Sequence, residues 1–148
     1  MLAPTIERAQ SGDLASVLRL LERHALPLDG ASELGEAMVV ARDAGRVVGA
    51  AALELYADAA LLRSVVVDDS VQGQGVGQRL TAAALALAND LGVRTVFLLT
   101  TTAAEFFPRF GFERINREQV PASVRVSVEF QSVCPSSAVV MRRMVTPS

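Results

Sequence analysis

The chain is poor in the residues that build metal, disulfide and thiol chemistry. Of its 148 residues, one is cysteine (Cys134) and one is histidine (His24). A single cysteine excludes a disulfide framework and a multi-cysteine zinc site, and a single histidine excludes a histidine-rich metal centre. No metal is expected, and both scarcities suit a reducing cytoplasm. Tryptophan is absent and tyrosine occurs once, as Tyr56. Charge is nearly balanced, with 14 Lys and Arg against 16 Asp and Glu, and no block of like charges stands out. That balance gives no case for a nucleic-acid partner. Long apolar runs are missing too. The most apolar stretch, residues 80–91, is broken by Asn89 and Asp90. It is about 12 residues long, where a membrane span needs about 20. The N-terminus carries acids early and lacks the apolar segment of a signal peptide. A cytoplasmic protein without a membrane partner is expected.

What is present is a 51% hydrophobic chain, rich in alanine and valine. A chain of this size buries roughly 70% of its unfolded surface, so it folds without a staple. One α+β domain over residues 1–148 is expected. Residues 5–8 read as a strand. Ser11 then caps a helix carried by Leu14, Val17, Leu18 and Leu21, which His24 and Pro27 close. Residues 38–42 and 47–56 read as strands joined by a turn at Asp43-Ala44-Gly45-Arg46. Residues 61–67 return as a third strand of this group. Val76, Leu80, Ala83, Ala84, Leu87 and Leu91 share one helical face, and Gly92 suits its C-terminal cap. Residues 95–100 form a buried strand, 103–110 a short helix ended by Gly111, and 112–115 another strand. Residues 124–130 alternate like a strand, yet Pro121 fits the start of a helix, so both readings stay open there. Residues 138–144 form a last strand.

The ten glycines are unevenly spread, and three crowd into Gln72-Gly73-Gln74-Gly75-Val76-Gly77. This loop lies between a predicted strand and a predicted helix. Without a Cβ, backbone N–H groups approach an anion closely, and the helix N-terminus adds a favourable dipole. The loop therefore reads as a cradle for phosphate or pyrophosphate, against the plainer reading of a tight turn. A Walker loop would continue Gly-Lys-Ser/Thr, whereas the chain reads Gly77-Gln78-Arg79. A dinucleotide fingerprint would place its third glycine one residue later.

The spacing Gln72-x-x-Gly75-x-Gly77 resembles the acetyl-CoA signature of the GCN5-related N-acetyltransferases. Leu62-Arg63-Ser64-Val65-Val66-Val67 resembles that family's central strand. Ala103-Ala104-Glu105-Phe106-Phe107-Pro108-Arg109-Phe110-Gly111-Phe112 resembles its later helix and following strand. The resemblance covers nearly the whole chain. It implies a mixed central β-sheet, splayed around acetyl-CoA and flanked by helices. It further implies that the backbone of Val65, Val66 and Val67 binds the pantetheine arm and acetyl carbonyl, while N–H groups of Gln72, Gly73, Gln74, Gly75, Val76, Gly77 and Gln78 bind pyrophosphate. A closer likeness, in Tyr56-x-Asp58-Ala59-Ala60-Leu61-Leu62-Arg63-Ser64, Leu99-Thr100-Thr101-Thr102 and residues 130–138, is to small acetyltransferases associated with arsenic resistance. That likeness implies a small primary amine as substrate, an amino acid or its arsenic- or phosphorus-bearing analogue. The family also implies a homodimer.

Acyl transfer needs positioned reactants, a proton acceptor for the amine and donors for the oxyanion. Many family members carry a tyrosine where this chain has Phe107. The tentative catalytic groups are therefore Glu54 and Tyr56, which share a strand face by alternation. Arg63 and Arg125 are the candidate substrate-binding cations, Arg63 by gripping a carboxylate or by pairing with Glu54 or Asp58. By the same alternation, Ser64 faces away from Arg63. Cys134 reads as a small buried hydrophobe, and Thr100 or a neighbouring threonine as a weaker stand-in for the family's asparagine. Two other functions stay open: a non-catalytic acyl-CoA-binding module, and an acetyltransferase of protein N-termini or lysines.

Overall fold

A computed structural model describes residues 4–24, 37–56, 59–100, 104–125 and 138–145. Its strands are β1 (Thr5–Arg8), β2 (Met38–Asp43), β3 (Arg46–Tyr56), β4 (Ala59–Val67), β5 (Thr95–Thr100), β6 (Glu113–Ile115) and β7 (Val139–Met144). Its α-helices are α1 (Leu14–Arg23), α2 (Val76–Asp90) and α3 (Ala122–Arg125). The strands form one sheet in the order β1-β2-β3-β4-β5-β7-β6. Neighbours are antiparallel, except that β4 and β5 run parallel with α2 between them in the chain. This is the mixed, helix-flanked sheet that the sequence leads one to expect. The β2–β3 turn takes positive φ at Ala44 (52°) and Gly45 (82°), the conformation that suits a two-residue hairpin.

Alternation divides the sheet into two apolar faces. Leu80, Ala84, Leu87 and Ala88 of α2 pack with Ala51, Leu53, Leu62, Val96 and Leu98 on one face. On the other, Val17, Leu20 and Leu21 of α1 cover Met38, Val40, Ala50 and Ala52. Further along that second face, Val120 and Val124 cover Leu61, Phe97 and Val140. Glycine at 49 lets α2 come close, since a Cβ there would stand 2.8 Å from Leu80 Cδ1 and 3.0 Å from the Val66 carbonyl oxygen.

Polar clamps fix α1 at both ends. Arg42 of β2 donates to Glu7 Oε1 (2.7 Å) and to Asp13 Oδ2 (2.9 Å). The hydrogen bond from Arg42 holds the Asp13 carboxyl below its ordinary value, against the opposing effect of burial. At the far end, Arg23 reaches Asp68 at 2.9 Å, just beyond β4.

Two local expectations change, and one open alternative is settled in part. Ser11 is not the cap: it opens a 3-10 turn, Ser11–Asp13, whose capping box is made by Gln10 and Asp13. Asp13 stands at the start of α1, where its carboxylate also meets Arg42. The helix expected over 103–110 is reduced, among the described residues, to turns and one 3-10 helix, Phe107–Phe110. Pro108 removes a backbone donor there. After Pro121 the helical reading holds for Ala122–Arg125, while the rest of 124–130 and Cys134 fall outside the described residues.

Candidate active site

The parallel pair at the centre of the sheet is joined only briefly. Ala59, Ala60 and Leu61 of β4 pair with Thr95, Val96 and Phe97 of β5, and the register stops there. Both strands continue, β4 to Val67 and β5 to Thr100. Their facing backbone edges thus diverge, while β3 and β7 hold the outer edges. Buried N–H and C=O groups demand partners, so this opening suits an extended, amide-bearing ligand laid between the strands.

At the far end of the opening lies the glycine loop. Gly75, at φ 77°, is the N-terminal cap of α2, and no side chain caps that helix. The first N–H groups of a helix have no intrahelical acceptor, so those of Val76, Gly77 and Gln78 fit an anion. A Cβ built at Gly73 or Gly75 would meet nothing within 4 Å, so space lies open above the loop. Gly77 is closer in, where a Cβ would lie 3.6 Å from Val67 Cγ2 and 3.8 Å from Phe106 Cζ. The loop is thereby seated on the end of β4. Gln72 departs from the expectation for the loop. Its N–H donates to the Asp69 carbonyl (3.4 Å), and its amide to Val67 O (3.3 Å) and Asp69 Oδ1 (3.1 Å). The N–H expected to meet the anion, together with the side-chain amide, instead ties the loop down.

At the other end of the opening, polar groups collect on the α1/α3 face. Tyr56 Oη donates to Glu54 Oε1 at 2.5 Å. Arg63 donates to Glu54 Oε2 at 2.7 Å, with the two side chains 1% and 13% exposed. The shared face expected for Glu54 and Tyr56 is present. Of the two readings of Arg63, the ion pair with Glu54 is realised. The register shows why Ser64 joins them. Ala52 faces Arg63 and Ala50 faces Val66, so two residues, Ser64 and Val65, oppose Ala51 alone. This is a β-bulge, and Ser64 absorbs it with φ 58°. The slip overturns strict alternation: Arg63 Nε donates to Ser64 Oγ at 3.2 Å, so the serine stands beside the arginine and does not face away from it. Tyr56, Glu54, Arg63 and Ser64 form one hydrogen-bonded chain. Ser64 was missed because a one-residue bulge leaves no trace in a run of valines.

The remaining expectations fare differently. Phe107 is buried, edge-on to Phe106 and Phe112, and offers no proton donor. Arg125 is exposed at the end of α3. Val65 to Val67 line β4 beside the opening, with Val65 freed from the β3 register by the bulge. Among the described residues no group of three His, Cys, Asp or Glu side chains is arranged to hold a metal, and no helix is long and apolar enough to cross a membrane.

A splayed parallel pair ending on an uncapped helix N-terminus is the arrangement that the resemblance to the acetyl-CoA-dependent N-acetyltransferases implies. Comparison with known proteins agrees. The model of the Acetyltransferase (GNAT) domain family matches residues 35–114. An amino-acid acetyltransferase of Mycobacterium tuberculosis is 31% identical over 147 residues, covering 90% of this chain and 79% of the relative. One from Neisseria meningitidis is 28% identical over 95% of this chain, which spans only 34% of that longer protein. Among solved structures, a Mycobacterium tuberculosis protein in complex with CoA and NLQ superposes with a TM-score of 0.82 at 28% identity, covering 97% of this chain and 100% of that one. An N-acetylglutamate synthase from Neisseria gonorrhoeae, complexed with coenzyme A and N-acetyl-glutamate, gives 0.82 at 22% identity over 99% of this chain and 36% of its own, a likeness of fold. The chain belongs to the GNAT acetyltransferase family and is an acetyl-CoA-dependent acyltransferase.

Proposed function

We propose that this protein transfers the acetyl group of acetyl-CoA to the amino group of an amino acid. The observation that carries the reading is the β4/β5 opening, with an anion cradle at one end and the Tyr56–Glu54–Arg63–Ser64 chain at the other. The naming of relatives as amino-acid acetyltransferases supports it. Amino-acid analogues bearing arsenic or phosphorus, such as arsinothricin and phosphinothricin, share the same α-amine and belong to the same proposal.

The residues divide the work as follows. Backbone N–H groups of Gly73 to Gln78 take the pyrophosphate. The free edge of β4 at Val65 to Val67 takes the pantetheine amides and places the thioester near the bulge. Holding both reactants turns a bimolecular step into a nearly unimolecular one. The amine attacks the thioester carbonyl carbon, the C–S bond breaks, and the electron pair leaves on sulfur. Glu54 accepts the amine proton, directly or through an ordered water, and Arg63 and Tyr56 fix its two oxygens. Arg63 is thus a positioning residue first. Arg125, exposed at the end of α3, is assigned the substrate carboxylate. The single domain over 1–148 and its pairing as a homodimer complete the proposal.

The test is release of free thiol from acetyl-CoA over a panel of amines. The panel holds acidic, neutral and basic amino acids, phosphinothricin, arsinothricin, polyamines and peptides with free N-termini. Turnover confined to amino acids or their analogues supports the reading. Turnover of peptides alone, or none with any amine, overturns it.

A further inference from the structure

A second hydroxyl at this site remains without an assigned task. Ser64 sits at the bulge, three residues before Val67, which the glycine loop abuts. Strand residues advance about 3.3 Å each, so Ser64 lies about 10 Å down β4 from the anion cradle. It also lies just past Leu61, the last residue paired with β5. Its backbone is left-handed, with φ 58° in a residue other than glycine. Such conformations are uncommon and gather at functional sites. Ser64 Oγ accepts a hydrogen bond from Arg63 Nε (3.2 Å), and Arg63 is itself buried and anchored on Glu54. A hydroxyl has one proton to donate. Among the described residues no acceptor takes the proton of Ser64. An oxygen that accepts from a guanidinium is polarised, which strengthens its own O–H as a donor. Phe107, meanwhile, supplies no hydroxyl from the opposite side.

We propose that Ser64 is a side-chain donor to the thioester carbonyl oxygen, aimed by the bulge and by Arg63. The inference rests on the acetyl-transfer reading above and names a further catalytic residue for it. As the amine nitrogen forms its bond to the carbonyl carbon, the C=O π pair moves onto oxygen. Ser64 O–H strengthens its hydrogen bond to that oxygen and keeps its proton. On collapse the pair returns, the C–S bond breaks and sulfur leaves with its electrons. The amine proton goes to Glu54 or its water. No proton is taken from Ser64, whose alkoxide would be too basic to form.

The informative variant is Ser64→Gly. Glycine adopts positive φ at no steric cost, so the bulge persists while the hydroxyl is gone. Ser64→Ala removes the hydroxyl and keeps the Cβ, and thermal unfolding reports on the fold of each. Loss of one oxyanion donor commonly lowers kcat by about 100-fold to 1,000-fold. A fall of that order in both variants is expected, with coenzyme A affinity unchanged by calorimetry. A second readout needs no turnover. The infrared carbonyl band of acetyl-CoA labelled with carbon-13 at the acetyl carbonyl, bound without amine, should lie lower in the wild type than in either variant. Wild-type kcat in Ser64→Gly would overturn the proposal, as would an identical carbonyl band. A wild type that turns over no amine would instead overturn the acetyl-transfer reading, which separates the two failures.

Discussion

Changing Glu54 to glutamine removes one charge from a pair that the fold has largely dried. Arg63 is the more deeply buried partner, its side chain 1% exposed against 13% for Glu54. Glutamine keeps the shape and one acceptor, but leaves the guanidinium facing a neutral group. Breaking a buried ion pair by removing one partner costs about 3–5 kcal/mol. Because glutamine still accepts a hydrogen bond, the low end applies, about 3 kcal/mol. For a chain of this length each kcal/mol lowers Tm by about 2–4 °C, so a fall of about 6–12 °C follows. Arg63→Met should cost a comparable amount by leaving the carboxylate without its cation. Joined in one chain, the two changes should cost less than their sum, by about 1–3 kcal/mol of coupling. Scanning calorimetry and urea unfolding of the four proteins measure this directly. A coupling energy below about 0.5 kcal/mol would refute the argument, since contacting residues in one buried network exceed that value.

Three further outcomes are expected. Asp13 has its carboxyl held below the ordinary 3.8, first by the hydrogen bond from Arg42, while burial opposes the shift. A depressed folded value contributes stability that is complete above 3.8 and lost as pH falls through the lower folded value. Acid titration followed by circular dichroism should therefore show a steeper loss in the wild type than in Asp13→Asn below that point, and parallel curves would contradict the clamp. Gly49→Ala should destabilise by about 1–3 kcal/mol, as overpacking does. The new Cβ would meet Leu80 Cδ1 at 2.8 Å and a backbone oxygen at 3.0 Å, and an unchanged Tm would show that α2 yields more freely than its packing indicates. Phe107→Tyr should leave kcat within about threefold, because a phenol there enters an aromatic cluster and not the polar chain. A large gain would return the acid role to that position.

Much of this arrangement could be read locally. Strands β1 to β5, the Asp43–Arg46 turn and α2 with its Gly92 end all follow from short-range periodicity and turn chemistry. The glycine loop was legible for the same reason, because the positive φ at Gly73 and Gly75 rests on backbone freedom encoded at each position. What was hidden depends on partners far apart in the chain. Arg42 meets Asp13 and Glu7 across 29 and 35 residues, and no local pattern announces that. Asp13, which stands at the helix start in place of Ser11, meets that same distant arginine. Ser64 shows the subtler case. Alternation assigned it to the far face, and the bulge reversed that without any glycine or proline to mark it. The pairing of Arg63 with Glu54 was one of two open readings, and only the β3–β4 register decides it.

The seat of acetyl-CoA decides whether its thioester reaches Ser64. Gly75 offers a clean comparison, because Asn and Asp both tolerate left-handed backbone and differ in one charge. The space at Gly75 admits either side chain, with nothing within 4 Å of a Cβ. Calorimetric titration of coenzyme A into Gly75→Asn and Gly75→Asp is therefore the most direct measurement. Two like charges about 4 Å apart near a protein surface repel by about 4 kcal/mol at an effective dielectric of 20. Gly75→Asp should accordingly bind at least about 100-fold more weakly than Gly75→Asn, with equal Tm. Equal affinity of the two variants would contradict the placement of pyrophosphate at the head of α2, and with it the seating of the thioester beside Ser64.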